Sequence, residues 1–371
     1  MTLNIRIATY NVENLFGRAK VLNFAQHDTG SAKMKRIGEL QGILQKETYS
    51  SADRDRAGHL YKDLKSFIGY NMLRSDVGYY LFRKHDADGD GEKETYRLAP
   101  RRRDQWLGFL TYDRDKFSDQ TSKNTARVIR EVDADVICIN EVEDRLVLDR
   151  FNADRLGRMY PYNILIDGKS DPRGIDVGVY SKFPIGRVRT NIFAETAEGK
   201  AIFSRDCLEV EILTPAGSVF LLANHLKSKY QGGDEKRKAQ AHEIRRILET
   251  RYDLQHQYVA VLGDLNDTPD SDPLSPLVGM GDLTDVLNTP VGPVAGQRWT
   301  YRYKDAFNQI DYILVSDALQ AGLRSAGIER RGMPPENLNG SNAGVQVFPG
   351  VSSWRDAGSD HGAVFADFEL S

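Results

Sequence analysis

Residues 258–262 form a short apolar run that is followed directly by polar side chains capable of chemistry. The valines of this run favour a buried β-strand, which Gly263 ends. Asp264 and Asn266 then lie at the carboxyl end of the strand, where α/β sheets place their ligands. A carboxylate and an amide at this spacing can hold a water molecule while one of them meets a phosphate oxygen or a metal ion. The alternative is an ordinary Asp/Asn turn after a strand.

Several other predicted strands carry similar side chains at their ends, and this repetition favours chemistry over a turn. The residues at these positions are Asn11, Glu141, His225, Asp264, Asn266, Asp311, Asp360 and His361. Oxygen donors of this kind suit Mg²⁺ or Mn²⁺. The chain has only 2 cysteines, so it does not support a structural zinc site. It also lacks a Gly-rich loop ending in Lys-Ser/Thr, which argues against nucleotide-driven phosphoryl transfer.

Strands that could position these residues are predicted along most of the chain, with helices between only some of them. The predicted strands cover residues 5–10, 135–141, 162–166, 176–180, 207–213, 219–223, 258–262, 309–315 and 363–370. A helix from about residue 125 leads into one of them, and a strongly basic helix covers residues 234–251. Hairpins together with helix crossovers predict an α/β protein with mixed sheets and helices packed outside them.

Residues 17–124 interrupt this pattern with a segment rich in charged and aromatic side chains. We interpret it as a helical and loop insertion, after the first strand, within one domain that spans residues 1–371. Inside it, Asp86, Asp88 and Asp90 open an 86–94 loop that matches the start of a calcium-binding loop. The twelfth position of such a loop should be a bidentate Glu and is an Arg here, so an acidic, Gly-rich turn is the alternative.

The insertion also brings residues 101–103, three arginines, close in sequence to Trp106, Phe109 and Tyr112. Positive charge beside aromatic rings is the pairing expected where phosphates are held and bases are stacked. The alternative is that these rings pack a small core that belongs to the insertion itself.

The overall composition is that of an ordinary globular protein, with a formal net charge of -3. No global basic field therefore indicates nucleic acid, and any such contact must come from local patches. No run of about 18 apolar residues indicates a membrane segment. The first residues do not resemble a signal peptide, so we expect a cytoplasmic setting, with a removed signal peptide as the alternative. No protein partner is indicated, and we expect a monomer.

Six short motifs recur in one order along the chain. They are Asn11, Asn140-Glu141, Asn224-His225-Leu226, Gly-Asp-Leu-Asn-Asp at 263–267, Ile-Asp-Tyr at 310–312 and Ser-Asp-His at 359–361. Together they resemble the endonuclease/exonuclease/phosphatase superfamily, which is deoxyribonuclease I-like. The resemblance implies a four-layer sandwich of two mixed β-sheets between helices. Only the insertion lies outside it.

The resemblance also implies roles for the motif residues. Glu141 would bind a divalent metal, assisted by Asn11 and Asp360. Asp264 would orient or deprotonate the attacking water, and Asn266 would hold that water and a phosphate oxygen.

The two motif histidines would act on the phosphate itself. His361 would contact the scissile phosphate while Asp311 binds its other ring nitrogen. His225 would stabilise charge in the transition state.

Three further residues resemble positions on the substrate side of the family, namely Arg173, Arg205 and Trp299. Each has a structural alternative, because an Arg can be an ordinary surface residue and a Trp can pack at the rim of the core. The chain departs from the family by having Asn140 where a Gln usually precedes the metal-binding Glu. His225 stands where abasic-site endonucleases lack a His, so that subgroup is disfavoured.

We therefore expect a metal-dependent phosphodiesterase, a nuclease of low sequence specificity acting on DNA or RNA. Basic residues that follow His225, among them Lys227, Lys229 and Arg237, could track a phosphate backbone. The alternative enzyme is a phosphoesterase for a small or lipid-linked phosphodiester, similar to a sphingomyelinase. A non-catalytic binding protein would be expected to lose motif residues, and none is lost here.

Overall fold

The structure is a computed structural model. It describes residues 2–15, 17, 21, 27–85, 95–112, 119–168, 174–229, 232–303, 305–338 and 344–371. The chain divides into two compact units, one formed by Met1–Phe16 with Phe117–Ser371 and the other by Gly17–Lys116. The second unit corresponds to most of the segment interpreted as an insertion, 17–124. We describe each unit by itself.

The helices and strands are numbered in chain order. The strands are β1 (Leu3–Leu15), β2 (Ile68–Ser75), β3 (Phe82–His85), β4 (Thr95–Leu98), β5 (Trp106–Tyr112), β6 (Val136–Val142), β7 (Tyr162–Leu165), β8 (Asp176–Ser181), β9 (Ile185–Arg189), β10 (Leu208–Thr214), β11 (Gly217–His225), β12 (Tyr258–Asp264), β13 (Leu283–Asp285), β14 (Tyr301–Tyr303), β15 (Ala306–Asn308), β16 (Asp311–Ser316), β17 (Leu323–Glu329) and β18 (Ala363–Leu370). The α-helices are α1 (His27–Leu44), α2 (Ser51–Leu64), α3 (Asp119–Val132), α4 (Arg145–Asp154), α5 (Asp234–Arg251), α6 (Ser275–Val278), α7 (Asp317–Gln320) and α8 (Pro335–Leu338).

The first unit contains two six-stranded mixed sheets. In sheet one the strand order is β17-β18-β1-β6-β8-β7, and β1 runs parallel to β6 but antiparallel to β18. In sheet two the order is β13-β16-β12-β11-β10-β9, and β11 and β12 form its parallel pair. In each sheet the parallel pair lies centrally, which matches the burial of all seven residues of β6.

Three apolar layers hold the first unit together. Alternate residues of a strand face opposite sides of its sheet, so Ile7 packs between the two sheets while Ala8 packs under α3 and α4. The inter-sheet layer also contains Cys138, a buried cysteine. The outer face of sheet two packs against α5 through residues such as Ile244 and Leu248. The order helix, sheet, sheet, helix confirms the predicted four-layer α/β sandwich.

The second unit has its own core, built by α1 and α2 with two two-stranded antiparallel sheets, β2 with β5 and β3 with β4. The sequence analysis predicted helices and loops for this segment but not these strands. Trp106 is buried, its indole N–H donates to Tyr49 Oη at 3.1 Å, and the Arg103 guanidinium lies 4.2 Å from its ring centroid. Trp106 therefore packs the core of the unit, whereas Phe109 and Tyr112 are exposed.

The calcium-like loop 86–94, with Asp86, Asp88 and Asp90, lies outside the described residues. Within the described part of the chain, no helix is both long enough and apolar enough to cross a membrane.

Candidate active site

The strand ends of sheet two place three of the predicted residues side by side. In the parallel pair of β11 and β12, His225 is the register partner of Asp264. In the antiparallel pair of β12 and β16, Asp264 is the partner of Asp311. An imidazole and two carboxylates therefore lie in one row at one edge of the sheet.

Gly263 is required where the row forms. Its φ is 134°, in the region that only glycine adopts readily. A Cβ at this position would lie 1.8 Å from the carbonyl oxygen of Asn224 on the neighbouring strand. The backbone of β12 thus approaches β11 closely just before Asp264, and this sets the spacing between Asp264 and His225.

Asp264 is buried, and both of its carboxylate oxygens accept hydrogen bonds. Oδ2 accepts from Asn11 Nδ2 at 3.0 Å, and Oδ1 accepts from the backbone N–H of Asn266 at 2.8 Å. Burial and the neighbouring charge of Asp311 raise the pKa of Asp264 to about 7, while His361 and the two hydrogen bonds oppose this rise. A carboxylate with such a pKa suits general-base chemistry near neutral pH.

His361 and Asp311 form a buried pair. His361 Nδ1 lies 2.8 Å from Asp311 Oδ2, which also accepts from Thr300 Oγ1 at 2.6 Å. Burial by itself would lower the pKa of His361, but the charges of Asp311, Asp360 and Asp264 raise it well above its ordinary value. These charges therefore favour the imidazolium form of the ring. It can donate from Nε2 while Asp311 holds Nδ1.

His225 lies between the two carboxylates that the sequence analysis assigned to different roles. Its Nε2 is 3.6 Å from Asp264 Oδ2 and 3.9 Å from Glu141 Oε1. The His225 backbone carbonyl accepts from Arg205 Nε at 3.0 Å, and this contact stabilises the position of the strand end.

The three expected metal ligands, Asn11, Glu141 and Asp360, lie around this row. Glu141 occupies an irregularity in the pairing of β6 with β8 and has a φ of 68°, which is unusual for a residue with a side chain. Asp360 Oδ1 lies 3.8 Å from His361 Nε2. Two carboxylates and an amide oxygen are hard donors, so this set fits Mg²⁺ or Mn²⁺.

A second group could be considered as a metal site, because Asp264, Asp311 and His361 offer ligand atoms that lie within 4.8 Å of one another. However, the ring nitrogen His361 Nδ1 and the hydroxyl of Thr300 both bind Asp311 Oδ2. Hydrogen bonds therefore already occupy Asp311 Oδ2 and His361 Nδ1, and we interpret these two residues as a hydrogen-bonded pair rather than as metal ligands.

Asn140 links the two sheets across the site, a role that the sequence analysis did not assign. Its Nδ2 donates to the Asn224 carbonyl at 2.8 Å, and its Oδ1 accepts from the Asp264 backbone N–H at 3.2 Å. Its position before Glu141 in the motif was the only sequence signal for this role.

Three more residues support His361 and its surroundings without having been assigned a role from the sequence. Ser359 Oγ donates to the Asn11 carbonyl at 2.7 Å and accepts from the His361 backbone N–H at 3.0 Å. Thr300 binds Asp311, and the ring of Tyr301 lies 4.9 Å from that of His361, centroid to centroid. Ser359 belongs to the motif at 359–361, and Thr300 and Tyr301 follow Trp299, so proximity in sequence was the available signal.

The predicted substrate-side residues fall into different places. Arg173 lies outside the described residues. Arg205 is buried and donates to the backbone carbonyls of His225 and Leu226. It therefore stabilises the end of β11 and is not a surface residue. Trp299 is also buried, and the Arg330 guanidinium lies 4.2 Å from the centroid of its ring. This is the packing role that the sequence analysis gave as the alternative for Trp299.

Several basic residues that follow His225 form ion pairs with nearby carboxylates, whereas the sequence analysis considered them as contacts for a phosphate backbone. Lys229 Nζ lies 2.6 Å from Asp267 Oδ1, and Lys238 Nζ lies 2.7 Å from Asp272 Oδ2. Arg237 is fully buried. The suggestion that Arg237 tracks a phosphate backbone was therefore wrong, because its guanidinium cannot reach a polyanion at the surface.

Solved structures of several proteins resemble this chain. Truncated Caenorhabditis elegans TDP2 is 18% identical with a TM-score of 0.48, and the match covers 67% of this chain and 89% of that one. An endonuclease/exonuclease/phosphatase from Bacteroides vulgatus is 19% identical with a TM-score of 0.47, covering 68% and 91%. Sphingomyelinase C from Streptomyces griseocarneus is 20% identical with a TM-score of 0.44, covering 67% and 92%.

No curated relative matches the sequence. The sequence model of one family, the Endonuclease/Exonuclease/phosphatase family, matches residues 113–361. This match spans more than half of the chain and includes the site residues from Glu141 to His361. The chain therefore belongs to the Endonuclease/Exonuclease/phosphatase family.

Proposed function

We propose that this protein is a divalent-metal-dependent phosphodiester hydrolase that cuts DNA or RNA with low sequence specificity by means of an activated water. Members of its family are hydrolases that act on phosphoester bonds and generally use divalent metals. The observation that carries the proposal is the buried row in which Asp264, with its pKa raised to about 7, adjoins His225 and the His361–Asp311 pair.

Asp264 is the group that would orient and deprotonate the attacking water. Its carboxylate is held by Asn11 and by the Asn266 backbone, so it cannot rotate away from the site. The side-chain amide of Asn266 donates to the Leu226 carbonyl at 3.1 Å, which fixes the amide plane. A fixed amide oxygen beside a fixed carboxylate is suited to holding one water in the attacking position.

The two histidines would stabilise the charge that develops on the phosphate. His361 is held as an imidazolium by Asp311, and this supplies a preorganised positive charge without rearrangement during the reaction. His225 faces the same centre from β11. Removing either ring should slow the chemical step more than it weakens substrate binding.

Glu141, Asn11 and Asp360 would hold Mg²⁺ or Mn²⁺. When bound there, the ion supplies Lewis-acid stabilisation of charge on the phosphate oxygens. The protein's part is to place two carboxylates and an amide at the strand ends and to limit their motion.

A small or lipid-linked phosphodiester is the second candidate substrate. It is favoured by the ion pairs that occupy Lys229 and Lys238 and by the burial of Arg237. These contacts reduce the positive charge available to grip a long polyanion beside the site. Nucleic acid is retained as the first candidate because a run of basic residues follows His225 in the sequence.

The test is a cleavage assay on plasmid DNA, single-stranded RNA, sphingomyelin vesicles and bis-p-nitrophenyl phosphate, with Mg²⁺, Mn²⁺ or excess EDTA. The Asp264→Asn variant serves as a matched control for contaminating nucleases. We expect metal-dependent cleavage of nucleic acid and of the small diester by the wild type but not by the variant. Cleavage of sphingomyelin and the small diester alone would select the second candidate. Absence of cleavage with either metal would refute the proposal.

A further inference from the structure

Arg237 lies in a run of charged residues on α5, yet its side chain is completely buried, with 0% exposure. A buried arginine is rare unless its guanidinium is paired and hydrogen-bonded. The contacts that satisfy this guanidinium therefore indicate why it is buried.

The guanidinium of Arg237 binds two different segments of the chain. Nε and Nη2 lie 2.8 and 2.7 Å from Asp267 Oδ2, and Nη1 donates to the backbone carbonyl of Lys227 at 2.8 Å. Nη2 also pairs with Asp234 one turn earlier on the helix. All three nitrogens of the planar group are thus used, an arrangement that a lysine cannot reproduce.

Both segments carry residues of the proposed site. Lys227 follows His225 by two positions after β11, and Asp267 directly follows Asn266 after β12. One side chain from α5 therefore connects the two loops that present His225 and Asn266. The Asn266 amide, which donates to the Leu226 carbonyl, joins the same two loops by a second contact.

The surroundings leave these two loops little room to shift. The Lys227 backbone N–H donates to Gln240 Oε1 at 2.9 Å, and Tyr312 Oη donates to the Asp267 carbonyl at 2.7 Å. A Cβ on Gly233, at the start of α5, would lie 2.3 Å from the carbonyl oxygen of Ser228. The loop after β11 is therefore packed directly against the first turn of the helix.

We propose that Arg237, together with Asp267, is a positioning residue that fixes the distance and orientation between His225 and the Asp264–Asn266 segment. This inference rests on the proposed hydrolase function of the same site. Arg237 does not touch the substrate. It acts through the backbone of both loops, and a displacement of the order of 1 Å in such groups is enough to slow catalysis about a hundredfold.

The charge state of the pair agrees with this role. Burial by itself would raise the pKa of Asp267, but hydrogen bonds from Lys229, the Thr268 backbone and Arg237 hold it below its ordinary value. Asp267 is therefore ionised at neutral pH and is a full partner for the guanidinium.

The test compares Arg237→Lys with Arg245→Lys. Arg245 lies on the same helix but is exposed and pairs only along the helix, with Glu249 at 2.6 Å. On bis-p-nitrophenyl phosphate we expect kcat of Arg237→Lys to fall by about tenfold to a hundredfold with KM changed less than about threefold. The control should match the wild type. A folded Arg237→Lys enzyme with the control's kcat would overturn the proposal.

Asp267→Asn provides a second route if Arg237→Lys folds poorly, because it keeps the size of the side chain and removes only its charge. We expect a similar loss in kcat from this change. The two substitutions combined should lose little more than either alone, since both break one interaction. Full additivity of the two losses would mean that the residues act separately, and would contradict the proposal.

Amide hydrogen exchange separates this inference from the proposed function, because it needs no substrate. Residues 225–229 and 265–268 should exchange faster in Arg237→Lys than in Arg245→Lys. Unchanged exchange would overturn the linking of the loops, whether or not the wild type proves to be a hydrolase. Faster exchange with an unchanged kcat would overturn the positioning role while leaving the hydrolase assignment intact.

Discussion

The substitution Gly263→Ala tests how the site is built more sharply than removing a catalytic group would. An added Cβ would lie 1.8 Å from the Asn224 carbonyl oxygen, whereas real Cβ atoms essentially never approach within 3.0 Å. The strands β11 and β12 would have to separate by about 1.2 Å at this point. They are the central parallel pair of sheet two, so the neighbouring strands would have to move as well.

The magnitude follows from two separate costs. Placing a residue with a side chain at a φ of 134° costs about 1–3 kcal/mol. Forcing an extra carbon into a close-packed region costs about 1–3 kcal/mol more. We therefore expect the free energy of unfolding to fall by about 2–6 kcal/mol, which is a large part of the roughly 5–15 kcal/mol available to a typical domain.

The matched control is Gly296→Ala, because a Cβ there meets no heavy atom within 4 Å and the residue has no unusual φ. Urea unfolding followed by tryptophan fluorescence should place this control within about 0.5 kcal/mol of the wild type. Turnover of the folded fraction of Gly263→Ala should also fall, since Asp264 and His225 would be displaced. Wild-type stability and turnover in Gly263→Ala would refute the reasoning about the close approach of the two strands.

Three further outcomes are expected. Asp264→Asn and His361→Ala should each lower turnover by at least about a hundredfold with unchanged near-UV circular dichroism, and a near-wild-type rate in either would contradict the assigned roles. Glu141→Gln should raise the Mg²⁺ concentration needed for half-maximal activity at least about tenfold, measured by metal titration after EDTA treatment; an unchanged titration would remove Glu141 from the metal site. Asp367 pairs with Arg6 at 2.7 Å. Burial would raise the pKa of Asp367, but the bonds from Arg6 and Ser325 hold it below its ordinary value. Its stabilising effect is therefore fully present above about pH 4 and is lost as the pH falls through the folded-state pKa. Asp367→Asn should then cost about 0.5–1 kcal/mol at pH 7 and progressively less below pH 4, as measured by urea unfolding, and a difference independent of pH would contradict this.

The central strands and the long basic helix could be predicted from the sequence because their burial leaves a direct pattern. The predicted helix 234–251 coincides with α5, and the strand predicted at 135–141 differs from β6 by one residue at each end. Near-continuous apolar runs indicate strands that are covered on both faces. The polar residues that follow such runs were predictable for the same reason, since the end of burial marks the end of the strand.

The short strands could not be predicted, because nothing local specifies their pairing. The β3–β4 and β14–β15 ribbons have strands of three or four residues, and most of their side chains are polar or partly exposed. Strand β17 is also absent from the strands predicted from the sequence. That strand pairs with β18 at the edge of sheet one, so a distant segment determines its conformation.

The roles of individual arginines and of Trp299 were also beyond sequence reasoning. Arg205 and Arg237 are as polar as any surface arginine, and only the fold shows that both are buried against backbone carbonyls. Whether an arginine faces solvent or braces a loop depends on its tertiary neighbours rather than on its local sequence. The substrate contacts suggested for Arg205 and Trp299 stay predictions, with packing as the role that their burial supports.

The amide of Asn140 connects sheet one to the strand ends of sheet two, and the proposed catalytic groups are divided between those sheets in the same way. Neither sheet carries a complete site, so the distance between groups on different sheets depends on the thickness of the apolar layer that separates the sheets. A larger or smaller side chain at Cys138 or Leu262 within that layer would change the distance between the two sheets, and with it the geometry of the site, without altering any polar residue. The geometry of the proposed site therefore depends partly on the side-chain volumes in the inter-sheet core. Substitutions that change those volumes would let relatives with the same polar residues differ in catalytic rate.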